Sequence, residues 1–131
     1  MNVRLTAKEL RRLGIDDAGL IHIIPKHRNQ RTLFNGRHYP SKLQAQCAQW
    51  LQLRKDFKEI DFYLEEVPFR LPGGATHRLD FMVVTRGLPN EYIEAKGRDL
   101  ALGKMKRRMV EELYGIRIRV WTNEDAKRFV R

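Results

Sequence analysis

The spacing of apolar positions changes along the chain, and each change marks an element. Leu5, Leu10 and Leu13, behind the capping-box pattern Thr6-Ala7-Lys8-Glu9 and ahead of Gly14, predict a short helix. Ile15 to Ile24 is apolar enough to pack on the body, whereas the run from Pro25 to Arg31 is basic and without period and reads as an arm or loop. Thr32 to Tyr39 predicts a small hairpin about Asn35-Gly36. Ser41 is a good N-cap for a helix in which Leu43, Cys47, Trp50, Leu51 and Phe57 recur at helical spacing, with Lys42, Gln46, Gln49, Gln52 and Lys55 opposite. From Glu59 onward Ile60, Phe62 and Leu64 alternate with polar residues, which predicts a strand with those three on its buried side. Pro68 is expected to interrupt that strand, and Pro72-Gly73-Gly74 to turn the chain.

The stretch from His77 to Gly97 reads as a β-hairpin. Arg78 to Thr85 and Glu91 to Lys96 are strand-like, and Gly87-Leu88-Pro89-Asn90 between them is turn chemistry. Side chains alternate along a strand, so Glu94 and Lys96 share a face, and antiparallel pairing brings Asp80 beside them. Two carboxylates and an ammonium at one end of a hairpin can hold a hard divalent cation and leave a lysine next to a phosphate. The plainer alternative is a cross-strand salt bridge on a solvated face.

Past Gly97 the period becomes helical. Leu102, Met105, Met109, Val110 and Leu113 form an apolar stripe, Lys104, Arg107, Arg108 and Glu111 lie opposite, and Gly115 ends the helix. Ile116, Ile118 and Val120 then alternate with Arg117, Arg119 and Trp121 in a last strand, and Thr122 or Asn123 caps a terminal helix through Arg131. A strand, helix and strand crossover is right-handed and parallel, so the last strand should lie beside Glu91 to Lys96. The expected fold class is α/β, a single domain over 1–131 whose order is helix, three antiparallel strands, crossover helix and a fourth strand parallel to the third.

Charge changes the picture more than composition does. The net formal charge is +10. Residues 1–40 carry eight basic against three acidic groups, residues 41–100 nine against nine, and residues 101–131 nine against four. The surplus therefore flanks a locally neutral hairpin, which suits a polyanionic partner. Charge alone fits a ribosome-associated basic protein as well as a nuclease. No apolar run approaches a membrane span and the first residues lack the apolar core of a signal peptide, so a cytoplasmic protein without a membrane partner is expected. Cys47, the single cysteine, excludes an intramolecular disulfide and reads as a small buried hydrophobe. His22, His27, His38 and His77 lack zinc-site spacing and read as incidental or close to phosphate; Trp50 and Trp121 read as core.

Asp80, Glu94-Ala95-Lys96, Gly97, the basic crossover helix and the closing strand together resemble the PD-(D/E)XK nuclease superfamily over roughly residues 32–121. Leu79 stands where the superfamily name has proline. Asn35-Gly36, Ser41-Lys42-Leu43, Ala45, Lys96-Gly97 and Leu113-Tyr114-Gly115-Ile116 are most similar to small phage-encoded nucleases of the Holliday-junction resolvase kind. The resemblance implies a restriction-endonuclease-like core between a helix and basic arm (1–31) and a C-terminal helix (122–131). It implies Mg²⁺- or Mn²⁺-dependent cleavage of DNA, branched or duplex, by a homodimer. Asp80, Glu94 and the Ala95 carbonyl would hold the cation, Lys96 would serve the attacking water or the transition state, and Lys104, Arg107, Arg108, Lys42 and Arg31 would bind nucleic acid. Relatives commonly carry an acidic residue where this chain has Gln44. Gln44 withdraws one negative charge from the site, and Glu65 or Glu66 could replace it; the choice stays open. A nuclease fold that binds nucleic acid without turnover is the alternative this departure raises.

Overall fold

The computed structural model describes residues 31–130. The helix expected at Thr6–Leu13 and all of the basic arm except Arg31 lie outside them. β1 (Thr32–Phe34) and β2 (Arg37–Tyr39) make the small hairpin, and Asn35 (φ 51°) with Gly36 (φ 76°) supplies the two left-handed residues of its turn. α1 (Lys42–Asp56) begins at Ser41, whose Oγ accepts the Gln44 backbone N–H at 3.1 Å. The small residues Ala45, Cys47 and Ala48 are fully buried and let the helix lie close to the sheet. With Leu43 and Leu51 they pack on Tyr39, Phe81, Val83, Ile93, Trp121 and Ala126 to form the main core. Phe57 does not join the stripe predicted for it: it follows the last helical residue and is 76% exposed.

β3 (Phe62–Arg70), β4 (Thr76–Val84), β5 (Glu91–Ala95) and β6 (Ile118–Trp121) form a mixed sheet in the order β3-β4-β5-β6. The first two pairings are antiparallel, and β6 runs parallel to β5 as the crossover rule requires. α2 (Ala101–Tyr114) makes that crossover and stops at Gly115, whose φ of 66° is the left-handed cap that glycine favours. α3 (Asn123–Val130) follows β6, with the Asp125 carboxylate accepting the Thr122 N–H at 2.8 Å across the first turn. The fold class is thus α/β, with three α-helices among the described residues. Among those residues no helix is long and apolar enough to cross a membrane.

α1 and α2 cover opposite faces of the sheet, since Ile93 belongs to the α1 core and its neighbour Glu94 meets Arg107 of α2. Regular alternation would keep odd-numbered residues of β3 on one face, yet Tyr63 donates to Gln52 of α1 at 3.0 Å while the Phe69 ring packs 5.0 Å from Tyr114 of α2. β4 behaves alike: Phe81 lies in the α1 core and His77 meets Glu94 on the α2 side. Both strands therefore exchange faces between these pairs. The paired register passes from Glu65↔Phe81 to Val67↔Leu79, and Glu66, between them, has φ 52°. A non-glycine residue there costs about 1 kcal/mol or more.

Three sequence expectations fail for identifiable reasons. Pro68 does not interrupt β3 but pairs with Arg78; β3 is a sheet edge, where a residue without an N–H is accommodated. Phe62 and Leu64 are 42% and 45% exposed, because Tyr63, Val67 and Phe69 form an equally apolar set and it is this set that turns inward. On α2, Leu102, Met105 and Leu113 are more than half exposed, whereas Arg107 is buried beside Val110. An acid beneath the helix, not the apolar stripe, decides which side faces the sheet.

Candidate functional site

The β4–β5 ladder ends at Phe81↔Ile93, and one residue further along β4 comes Asp80. Its Oδ2 accepts the Ala95 backbone N–H at 2.9 Å, so a side chain takes over where strand pairing stops. Continuing the register sets Asp80 opposite Glu94 on one side and opposite Glu66 on the other. Burial raises the Asp80 carboxyl to about 6, opposed by the Ala95 N–H; the Glu94 charge raises it further, Lys96 lowers it, and Glu66 raises it. The charges of Glu94 and Lys96 thus both reach Asp80.

Glu94 is only 2% exposed and points to the α2 side. Its Oε1 is hydrogen-bonded to His77 Nε2, and its Oε2 accepts from Arg107 Nη1 at 3.3 Å. Arg107 also forks onto Asp99, with Nη1 to Oδ1 at 2.9 Å and Nη2 to Oδ2. That fork holds the Asp99 carboxyl below the usual carboxylate range and the Arg107 guanidinium above its own. Two assignments from sequence are corrected here. Arg107 is not a surface cation for nucleic acid, because a carboxylate buried on this side of the sheet requires a charge partner. His77 is not incidental, because the exchange of faces carries it to Glu94.

Lys96 is half-buried, follows the end of β5, and donates its backbone N–H to Trp121 at 3.0 Å. Gly97 lies against the start of α1: a Cβ placed on it would stand 3.9 Å from Leu43 Cδ2. Gln44 is buried and lies three residues before Cys47, hence on the same helix face. Burial pushes the Cys47 thiol up, and the Asp80 charge adds to that. Glu65 is occupied elsewhere, accepting from the Tyr39 hydroxyl and pairing with Arg37 at 3.0 Å. Glu66 pairs with Arg37 at 3.4 Å and is half-exposed, and it is the one of the two acids whose charge reaches Asp80. Lys104, Arg108, Lys42 and Arg31 are exposed, as a nucleic-acid surface needs; so is Arg98, beside the site. A shallow cavity of about 500 Å³, lined by Arg108, Glu111, Glu112, Ile116, Arg117 and Ile118, opens at the other end of β6 and plays no part in this cluster.

Among the described residues, no set of three or more His, Cys, Asp or Glu side chains is gathered tightly enough to enclose a metal ion. The donor chemistry nevertheless suits a hard cation. The carboxylates are all-oxygen donors, and the pKa of Asp80 is raised first by burial and then by the neighbouring Glu94 charge. A carboxylate offers about four lone-pair positions, so the contacts of Glu94 with His77 and Arg107 do not exhaust it. The chain matches no family model, no curated protein and no solved structure, so geometry and chemistry alone bear on its function.

Proposed function

We propose that this chain is a Mg²⁺- or Mn²⁺-dependent endonuclease of the PD-(D/E)XK type acting on DNA, with a restriction-endonuclease-like core. The observation that carries the reading is the position of Asp80 beside Glu94 where β4 and β5 part, within reach of the Lys96 charge and with its carboxyl raised to about 6. Asp80 and Glu94, with the Ala95 carbonyl, hold the cation, and the buried Gln44 supplies a neutral oxygen in place of an acid. The cation, when bound, contributes charge against the scissile phosphate and a lowered pKa for water. Lys96 orients the attacking water or offsets charge developing on the phosphate. Lys104, Arg108, Lys42 and Arg31 grip the backbone of the nucleic acid, and the net charge of +10 makes that grip salt-dependent. The resemblance favours branched DNA of the junction kind, processed for a phage in its host's cytoplasm.

Incubation of supercoiled plasmid and of a four-way junction with Mg²⁺ or Mn²⁺, against a chelator control, tests this reading. Wild type nicks or resolves them, while Asp80→Ala, Glu94→Ala and Lys96→Ala lose cleavage and still retard DNA in a gel. Equal cleavage by all three variants would remove the assignment. One set of observations favours a second reading, a nucleic-acid binder that keeps the fold without turnover: Gln44 in the place of an acid, and both Glu94 oxygens already engaged. Divalent-independent binding with no nicks in any cation supports that alternative.

A symmetric dimer belongs to the same proposal. The exposed Leu102, Met105 and Leu113 line one side of α2. Antiparallel packing against a second copy of α2 covers this apolar side. Light scattering after size exclusion is expected to give a dimer for wild type and a monomer for Met105→Glu; a wild-type monomer at high concentration eliminates the dimer.

A further inference from the structure

Behind the candidate site, three side chains that the proposed chemistry does not use directly, His77, Arg107 and Asp99, form a chain of contacts that ends on Glu94. His77 from β4 and Arg107 from α2 meet the two oxygens of Glu94, and Asp99, in the loop between β5 and α2, takes the other edge of the Arg107 guanidinium. His77, Glu94 and Arg107 are each nine-tenths or more buried. Glu94 is thereby held from two directions by groups on two other elements, and Arg107 is itself held by a two-point fork. A carboxylate gripped at one oxygen can still swing about its side-chain torsions; gripped at both, it presents its remaining lone pairs in one direction.

We infer that Arg107, oriented by Asp99, and His77 are positioning residues that aim Glu94 at the cation of the proposed nuclease site and so set the cation affinity without touching cation or DNA. This rests on the nuclease reading above and adds its supporting layer. Groups that orient a metal-binding side chain typically change metal affinity by 10- to 100-fold when they are altered. Lysine in place of Arg107 keeps the positive charge but has no planar fork for Asp99 and Glu94 together. Asn in place of Asp99 keeps the size of the side chain and one acceptor while loosening the fork. Asp99 is partly exposed, which makes Asp99→Asn the gentler change for folding.

The experiment is Mn²⁺ titration of the full chain by electron paramagnetic resonance, with a thermal melt of each variant in the absence of metal. Arg107→Lys and Asp99→Asn are expected to melt cooperatively and to raise the Mn²⁺ dissociation constant about 10-fold or more. His77→Gln, which retains one nitrogen donor, should weaken Mn²⁺ binding less. Folded Asp99→Asn binding Mn²⁺ as tightly as wild type overturns the positioning role while leaving the nuclease reading in place. Should wild type itself bind no Mn²⁺, the cation site and this inference fall together.

Discussion

Asp80→Asn is expected to make the protein more stable at neutral pH while ending cleavage. Burial, followed by the Glu94 charge, raises the Asp80 carboxyl to about 6 from its ordinary value of 3.8. Between those two values the folded chain binds more protons than the unfolded one, so stability falls as pH rises from about 4 through 6 and the full cost is present above that range. A shift of about two units corresponds to roughly 2–3 kcal/mol, which the neutral amide avoids. Thermal melts should therefore give nearly equal stability for wild type and Asp80→Asn at pH 4, and a variant several degrees more stable at pH 8. Mn²⁺ should close that gap by stabilising wild type alone. On the nuclease reading proposed above, wild-type cleavage should also decline as pH falls through about 6, because a protonated Asp80 would no longer hold a cation. A variant without advantage at pH 8 would mean that Asp80 is better solvated than its surroundings indicate.

Arg107→Met carries the largest expected penalty. It leaves Glu94, at 2% exposure, with no cation beside it, and breaking such a pair from one side costs about 3–5 kcal/mol. Because much of that cost is the stranded charge, Arg107→Met combined with Glu94→Gln should be less destabilised than the sum of the single changes. A double-mutant cycle from denaturant melts should give a coupling of about 1 kcal/mol or more. Strict additivity would indicate that the His77 contact alone satisfies Glu94.

What could be read from the sequence and what could not divide along physical lines. The hairpin carrying Asp80 and Glu94, the Asn35-Gly36 turn, the Ser41 cap and the parallel placement of β6 follow from local chemistry and from handedness, and the structure has them. The inward side of α2 does not follow, because a hydrophobicity pattern scores arginine as outward and cannot know that Glu94 lies beneath. Only the acids, Glu94 and Asp99, flanking Lys96-Gly97 ahead of a basic helix could have hinted at it. The role of His77 was hidden by the exchange of faces between β3 and β4. Glu66 takes a left-handed conformation there without being glycine or asparagine, so no residue type announced it. The choice between Glu65 and Glu66 as the nearer acid depended on the same turn of the backbone.

The irregularity of β3 also bears on how copies of this chain avoid one another. Among the described residues β3 ends the sheet, a position that can offer backbone donors and acceptors to an incoming extended segment. Pro68 removes a donor from that row and the left-handed Glu66 bends it, leaving no long straight template for an incoming strand. Both features disfavour growth of the sheet at this border, despite the exposed apolar side chains of Phe62 and Leu64 on the adjoining surface.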